Sequence, residues 1–150
     1  MKRGLMIWML FLLALPLLSA QAQDEMQPIT LRFAATVGDA MALCGETYAG
    51  IGADEAEISF NDFRFYVSNV QLLTADGDAV PLELVQDGMW QVDNVALLDF
   101  ENRAGGCSEI GNAALNGQVD GMAPAGDYTG VRFDLGVPFE LNHADVTTAP

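Results

Sequence analysis

Residues 28–38 read PITLRFAATVG, and from Ile29 every second side chain is apolar. A period of two is the strongest constraint on this chain. Only an extended strand with one buried face gathers Ile29, Leu31, Phe33, Ala35 and Val37 on one side and Thr30, Arg32 and Thr36 on the other. The same period recurs in ISFNDFRFYVSNVQLLT, where Phe63, Phe65 and Val67 alternate with Arg64, Tyr66 and Ser68. It returns in YTGVRFDLGVP, where Val131, Phe133 and Leu135 alternate with Arg132 and Asp134. An Asp-Gly pair in ADGDA predicts a tight turn that brings AVPLELV back as a paired strand. A second Asp-Gly opens DGMWQVDNVALLDFEN, where Trp90 and Val92 alternate before the apolar run VALLDF. CGETYAGIGADEAE reads as an acidic, glycine-rich loop. RAGGCSEIGNAALNGQVDGMAPAGDY reads as a longer one, with a short helical turn expected between Asn112 and Leu115. No amphipathic helix of three turns interrupts the pattern. The expected fold is all-β: an antiparallel β-sandwich or barrel-like domain with long glycine-rich loops. Six or seven strands can be counted, and TTAP follows directly on a loop with functional features, so the domain is expected to be incomplete at its C-terminus.

The N-terminus is of a different kind. Lys2 and Arg3 precede an apolar run from Leu5 to Leu18, and SAQAQ then places Ala20 and Ala22 in the small-residue pattern of a cleavage site. Residues 1–22 are expected to be a signal peptide. The run is shorter than the ~20 apolar residues that span a bilayer, and Pro16 interrupts it, so no stable membrane anchor is expected after cleavage. The mature domain would be residues 23–150, periplasmic or secreted to the cell surface. It has no lysine, and four arginines against 21 acids give it a net charge of −17. That field repels a phosphate backbone, which argues against nucleic acid as a partner, and it suits a cation or a cationic protein. Cys44 and Cys107 would enter an oxidising compartment, where disulfides are the rule. Joined to each other they would close a loop worth roughly 4 kcal/mol in chain entropy. The alternative is that each pairs with a cysteine outside this sequence.

Candidate chemistry is sparse. His143 is the sole histidine, no nucleophile elbow is present, and both cysteines read as structural, so acyl-transfer catalysis has little to work with. Asp54, Glu55 and Glu57, and then Asp76 and Asp78, offer hard oxygen ligands for calcium, but neither stretch follows a calcium-loop pattern. A transition metal would draw on imidazole and thioether: His143, Met26, Met41, Met89 and Met122. Trp90 is the one tryptophan left after signal removal, and it stands at the start of a strand near a turn.

Four segments taken together carry a family resemblance: LRFAATVGDAMALCGETYAG, DFRFYVSNVQLL, WQVDNVALLDFENRAGGC and AGDYTGVRFDLGVPFELNHAD. In order and spacing the chain resembles the MbnP-like family, secreted copper proteins of the methanobactin-operon and MopE/CorA type, also described as four-Cys metallo-mystery-pair proteins. The resemblance implies a β-rich exported protein that binds copper and is not an enzyme. It implies a copper site built from histidine together with a kynurenine, made from tryptophan by a di-haem cytochrome c peroxidase-like partner. On that footing His143 matches the family's Asn-His position, Trp90 is the candidate for oxidation, and Cys44 and Cys107 match two of the four cysteines. Asn142 or Asp145 would orient the imidazole through its second nitrogen, or hold the loop turn. A second histidine, two further cysteines and a further tryptophan are absent from the mature chain, and on the expectation of a fragment they lie beyond Pro150. The rival expectation is an acidic extracellular β-domain with an interaction role, stabilised by calcium.

Overall fold

The computed structural model of the protein describes residues 25–107, 113–145 and 147. In chain order these form β1 (Met26–Arg32), β2 (Thr36–Val37), β3 (Ala40–Met41), β4 (Thr47–Ile51), β5 (Ala56–Ser59) and β6 (Arg64–Leu73). They continue with β7 (Ala79–Pro81), β8 (Glu83–Leu84), β9 (Gln91–Val92) and β10 (Val95–Asp99). A 3-10 turn (Gly105–Cys107), β11 (Gln118–Pro124), β12 (Gly130–Leu135) and one helical turn, α1 (Phe139–Asn142), complete the order. The all-β antiparallel fold expected from the alternation is the fold found. The segment expected to be a signal peptide, residues 1–22, and Asn112 lie outside the described residues.

β6 organises the larger sheet, whose order is β12-β6-β10-β9. One edge of β6 pairs with β12, while the other pairs first with β10 and then with β7. Val67, Val70 and Leu72 of β6 are buried, so the core face skips a residue between Val67 and Val70. Asn69 absorbs the skip as a bulge: its φ is +51°, and the register against β12 shifts there. Asparagine tolerates this left-handed conformation better than most residues. Its side chain fixes the bulge from both sides, donating to Asp134 at 2.8 Å and accepting from the Asn94 amide. The Asp-Gly turn after β6 forms as expected: Thr74 N–H donates to Asp78 O at 3.0 Å, and Gly77 has φ +87°.

The chain then crosses to a second sheet, of order β1-β11-β8. Leu82 at the crossing is buried and donates its N–H to Val70 O at 2.9 Å. Two further links close this side of the curl. Gln91, buried, donates to the carbonyls of Val85 and Asp120 and accepts from Asp120 N–H, so both ends of its amide are satisfied. Asp99 and Asn116 exchange both backbone hydrogen bonds at 2.9 Å. Between the sheets lie Val67, Val70, Leu72, Leu82, Ala96, Leu98, Val119 and Ala123, with Ile29, Leu31, Phe33, Phe65 and Phe100 packed around them. On the opposite side, among the described residues, β1 and β12 are the outer strands, and Phe33, directly after β1, meets Phe133 of β12 edge to face at 5.8 Å.

Four segments differ from expectation. AVPLELV is not one paired strand: β7 pairs with β6, and β8, beginning two residues later, pairs with β11 of the second sheet. The first alternating run is two strands, because the chain leaves β1 after Arg32 and turns back through a β2–β3 hairpin. The acidic loop after Cys44 folds as the β4–β5 hairpin. Within the expected long loop, Gln118–Pro124 is a seven-residue central strand, β11. Glycine hid it, and the structure shows why glycine is there. A Cβ on Gly121 would lie 2.6 Å from Leu82 Cγ and 2.7 Å from Glu83 O, so β8 can reach β11 only over a bare backbone. The described end of the expected helical turn, residues 113–115, is not helical.

Gly121→Ala is therefore expected to destabilise the fold by about 1–3 kcal/mol. A urea titration should show a lower midpoint at unchanged slope.

Candidate metal centre

His143 sits where β12 ends. Gly136, at φ +115°, turns the chain out of the strand, and Pro138 starts α1 by accepting from the N–H groups of Leu141 and Asn142 at 3.1 and 3.0 Å. His143 follows directly, its ring stacked on Phe139 at 3.9 Å. Its Nδ1 lies 3.0 Å from the Phe139 carbonyl. A carbonyl only accepts, so this contact is a hydrogen bond when Nδ1 carries a proton, and a neutral ring in that tautomer has its lone pair on Nε2. The ring is exposed. What orients the imidazole is thus the Phe139 carbonyl and ring face. Asn142 contributes its backbone N–H to α1, and Asp145 holds the next turn, accepting at 2.9 Å from Thr147 N–H and at 2.8 Å from its hydroxyl. Those two bonds keep the Asp145 carboxyl below its ordinary range.

Trp90 is positioned by the second Asp-Gly turn. One oxygen of Asp87 accepts from the N–H groups of Met89, Trp90 and Gln91 at 2.8, 2.7 and 2.9 Å. Burial alone would raise the Asp87 carboxyl, but the three donors outweigh it and hold it below its ordinary value. On the far side Leu97 N–H donates to Trp90 O at 2.8 Å. The half-buried residue lines a cleft of about 200 Å³ with Tyr66, Met89, Val92, Val95 and Leu97. A neighbouring cleft of about 250 Å³ is lined by Val137, Leu141 and Ala144 together with Asp93 and the same Tyr66, Val92 and Val95. Trp90 and α1 therefore flank one apolar patch on the outer face of the larger sheet. His143 immediately precedes Ala144 at the rim of that patch. Residues more than 50 positions apart in sequence are gathered on a single face.

Cys44 and Cys107 form a disulfide with each other. The loops they join touch backbone to backbone: a Cβ on Gly105 would collide with Gly45 Cα. Gly45, next to Cys44, and Gly105, two residues before Cys107, are what let the two loops close. Beside the bridge is a buried acid that sequence reasoning passed over. Glu101 is fully buried, and its Oε1 has no hydrogen-bond partner. Arg64 Nη1 is 4.0 Å away, while Arg64 itself is held bidentate by Asp62 at 2.8 and 2.6 Å. Burial also pushes the Asp99 carboxyl up; the Glu101 N–H opposes that rise and the Glu101 charge adds to it. Glu101 and the two sulfurs lie within 4.8 Å of one another, and among the described residues they are the group of three possible ligands so gathered. With both sulfurs in a disulfide and buried, they are not thiolate donors. The acids considered for calcium, Asp54, Glu55, Glu57, Asp76 and Asp78, are exposed on and beside hairpin turns, and no such group of three forms among them. The signal for the buried acid was present in VALLDFE, where two carboxylates interrupt an otherwise apolar strand.

The MbnP family model matches residues 26–150. Among solved structures, MbnP from Methylosinus trichosporium superposes with a TM-score of 0.64 at 36% identity, over 76% of this chain and 40% of that one. The chain thus spans well under half the length of that relative. No curated protein matches. Among the described residues no helix is long and apolar enough to cross a membrane.

Because its folded value is depressed, Asp87 contributes stability above its ordinary value of 3.8 and loses it as pH falls through the folded value. In residues 23–150, where Trp90 is the single tryptophan, its emission should shift to the red across that acid range. Asp87→Ala should show the shift already at neutral pH, with a local loss of about 1 kcal/mol.

Proposed function

The chain belongs to the MbnP family, and from that premise we propose that it is an exported copper-binding protein with His143 as a copper ligand. The observation that carries this reading is the 3.0 Å contact of His143 Nδ1 with the Phe139 carbonyl. With Nδ1–H donating there, the neutral ring offers its Nε2 lone pair on an exposed side chain. A metal-binding imidazole needs that arrangement, and a backbone carbonyl on the other nitrogen is a common way to secure it. Neutral imidazole is a good donor for copper. The residues present fit the first ligand of such a site. The disulfide removes Cys44 and Cys107 from the donor set, so the site is one of nitrogen and other non-thiolate ligands.

Trp90 enters the reading through its place on the same outer face. An intact indole N–H only donates and cannot ligate. Cleavage of the indole C2–C3 bond, with two water oxygens added as four electrons and four protons leave to the oxidising partner, followed by hydrolysis that releases C2 as formate, would convert Trp90 to kynurenine, whose aniline nitrogen is a further donor. Trp90 lies in a cleft rather than in the core, so a partner protein can reach it. The proposed partner is a di-haem cytochrome c peroxidase-like protein that supplies the oxidising equivalents. A net charge of −17 on the mature chain favours encounter with a partner presenting basic residues. Copper, when bound, supplies a redox-active or transported ion. The chain itself contributes the oriented imidazole, the rigid cleft and the electrostatic field.

Copper titration of the exported chain tests the proposal. Binding is expected in the wild type, with affinity reduced at least about tenfold in His143→Ala. Equal binding by both proteins would remove His143 from the site. Co-expression with the haem partner should add about 4 Da at Trp90, read by peptide mass. Unmodified Trp90 after such co-expression would remove the kynurenine.

A further inference from the structure

Glu101 is a costly side chain to bury, and the copper reading makes no use of it. It and Cys107 are both fully buried, while Cys44 is 7% exposed. One oxygen of the Glu101 carboxylate and the two sulfurs lie within 4.8 Å of one another. Oε1 has no hydrogen-bond partner, and Oε2 accepts from the Arg103 N–H at a long 3.4 Å. Two charged groups face the acid. Arg64 is 4.0 Å away and already held by Asp62, and the Asp99 carboxylate accepts from the Glu101 N–H at 3.0 Å. Glu101 and Cys107 are enclosed on all sides, so their arrangement does not depend on any edge or face of the domain being free.

We infer that Glu101 is the proton acceptor through which the Cys44–Cys107 bridge closes by thiol–disulfide exchange. The oxidant is an external disulfide, RSSR, of the kind an oxidising compartment supplies. The less buried thiol, that of Cys44, exchanges first: it becomes a mixed disulfide with one R–S group, and one RSH leaves. The thiol of Cys107 then attacks Cys44 Sγ. The bond between the two cysteines forms, the bond from Cys44 to R–S breaks, and the second R–S leaves as a thiolate. The two cysteines lose two electrons and RSSR gains them. The proton of Cys107 passes to Glu101 and from there to solvent, which protonates the departing thiolate to a second RSH.

A base is needed at the second step. Only the thiolate attacks, an ordinary thiol ionises at about pH 8.5, and apolar burial raises that value. Ionising Cys107 with the proton lost to water would set a second negative charge beside a buried carboxylate. Passing the proton to Glu101 leaves the net charge of the enclosed region unchanged. The Phe60 carbonyl, 3.4 Å from Cys107 Sγ, can accept a hydrogen bond from the thiol but cannot take its proton. Among the described residues Glu101 is the acid gathered with both sulfurs, and its free Oε1 is what such an acceptor requires.

The test follows closure of the bridge in residues 23–150. The chain is reduced in metal-free buffer, activated in mild acid with a dipyridyl disulfide and shifted to the working pH. The second equivalent of pyridinethione released reports closure. In the wild type its rate should change by less than about threefold between about pH 6 and about pH 8. Glu101→Gln should close at least about tenfold more slowly at about pH 6 and gain about tenfold per pH unit, as thiol ionisation takes over. Circular dichroism of the two oxidised proteins checks that they share a fold. A wild-type rate that itself climbs about tenfold per unit would overturn the inference, and that result needs no variant. So would a Glu101→Gln chain that closes at the wild-type rate. A variant slowed by the same factor at every pH would make Glu101 a packing residue and overturn it as well.

Discussion

The structure depends on one irregularity, the bulge at Asn69. β6 must present an apolar face to the core along its whole length while serving different partners on its two edges. A regular strand carrying Val67 inward would turn Val70 and Leu72 outward. The left-handed residue at position 69 restores the phase. It also divides the strand, so that β10 pairs before it and β7 after it. From β7 the chain crosses through buried Leu82 into the second sheet. The Ser-Asn in FYVSNVQLL is thus a device of fold geometry: the asparagine ties β12, β6 and the β9–β10 turn together through its amide.

At one end of the core the constraints are covalent and electrostatic. The disulfide brings two loops to a separation that only glycine backbones permit, and the chain lays Glu101 and Asp99 into the same region. Buried carboxylates are costly, and a lone arginine at 4.0 Å from Glu101, already engaged by Asp62, offsets that only in part. The molecule accepts this cost next to its strongest crosslink. Removing the crosslink would expose the weakest part of its interior.

The outer face is simpler in physics. Tyr66, Val92, Val95 and Leu97 leave an apolar patch, α1 packs over one side and the Asp87-capped loop holds Trp90 over the other. Proline, glycine and a triple-acceptor carboxylate fix the two flanks independently, and the sheet between them sets their relation. A site assembled in this way gains its precision from β6 and β10 rather than from the loops that carry its side chains.

How much of this was legible in the sequence follows the range of the forces involved. Period-two alternation gave the all-β class, and the Asp-Gly pairs located two turns, because both signals are local. The MbnP resemblance points to His143 and Trp90 through the residues around them. Local signals failed where glycine served a distant contact: Gly121 disguised β11 as loop, since its reason lies in β8 nearly 40 residues away. They failed at Glu101, whose burial depends on the loops around the disulfide. They could not decide the pairing of Cys44 and Cys107, the carbonyl that His143 Nδ1 meets, or the shared face that relates α1 to Trp90. The sequence by itself determined that this chain makes strands, and which side of each strand is apolar, because those properties repeat every two residues. Tertiary structure alone decided which strands are neighbours, which acid is buried and which distant side chains share a face, because hydrogen-bond pairing between sheets is set by the whole chain closing on one core.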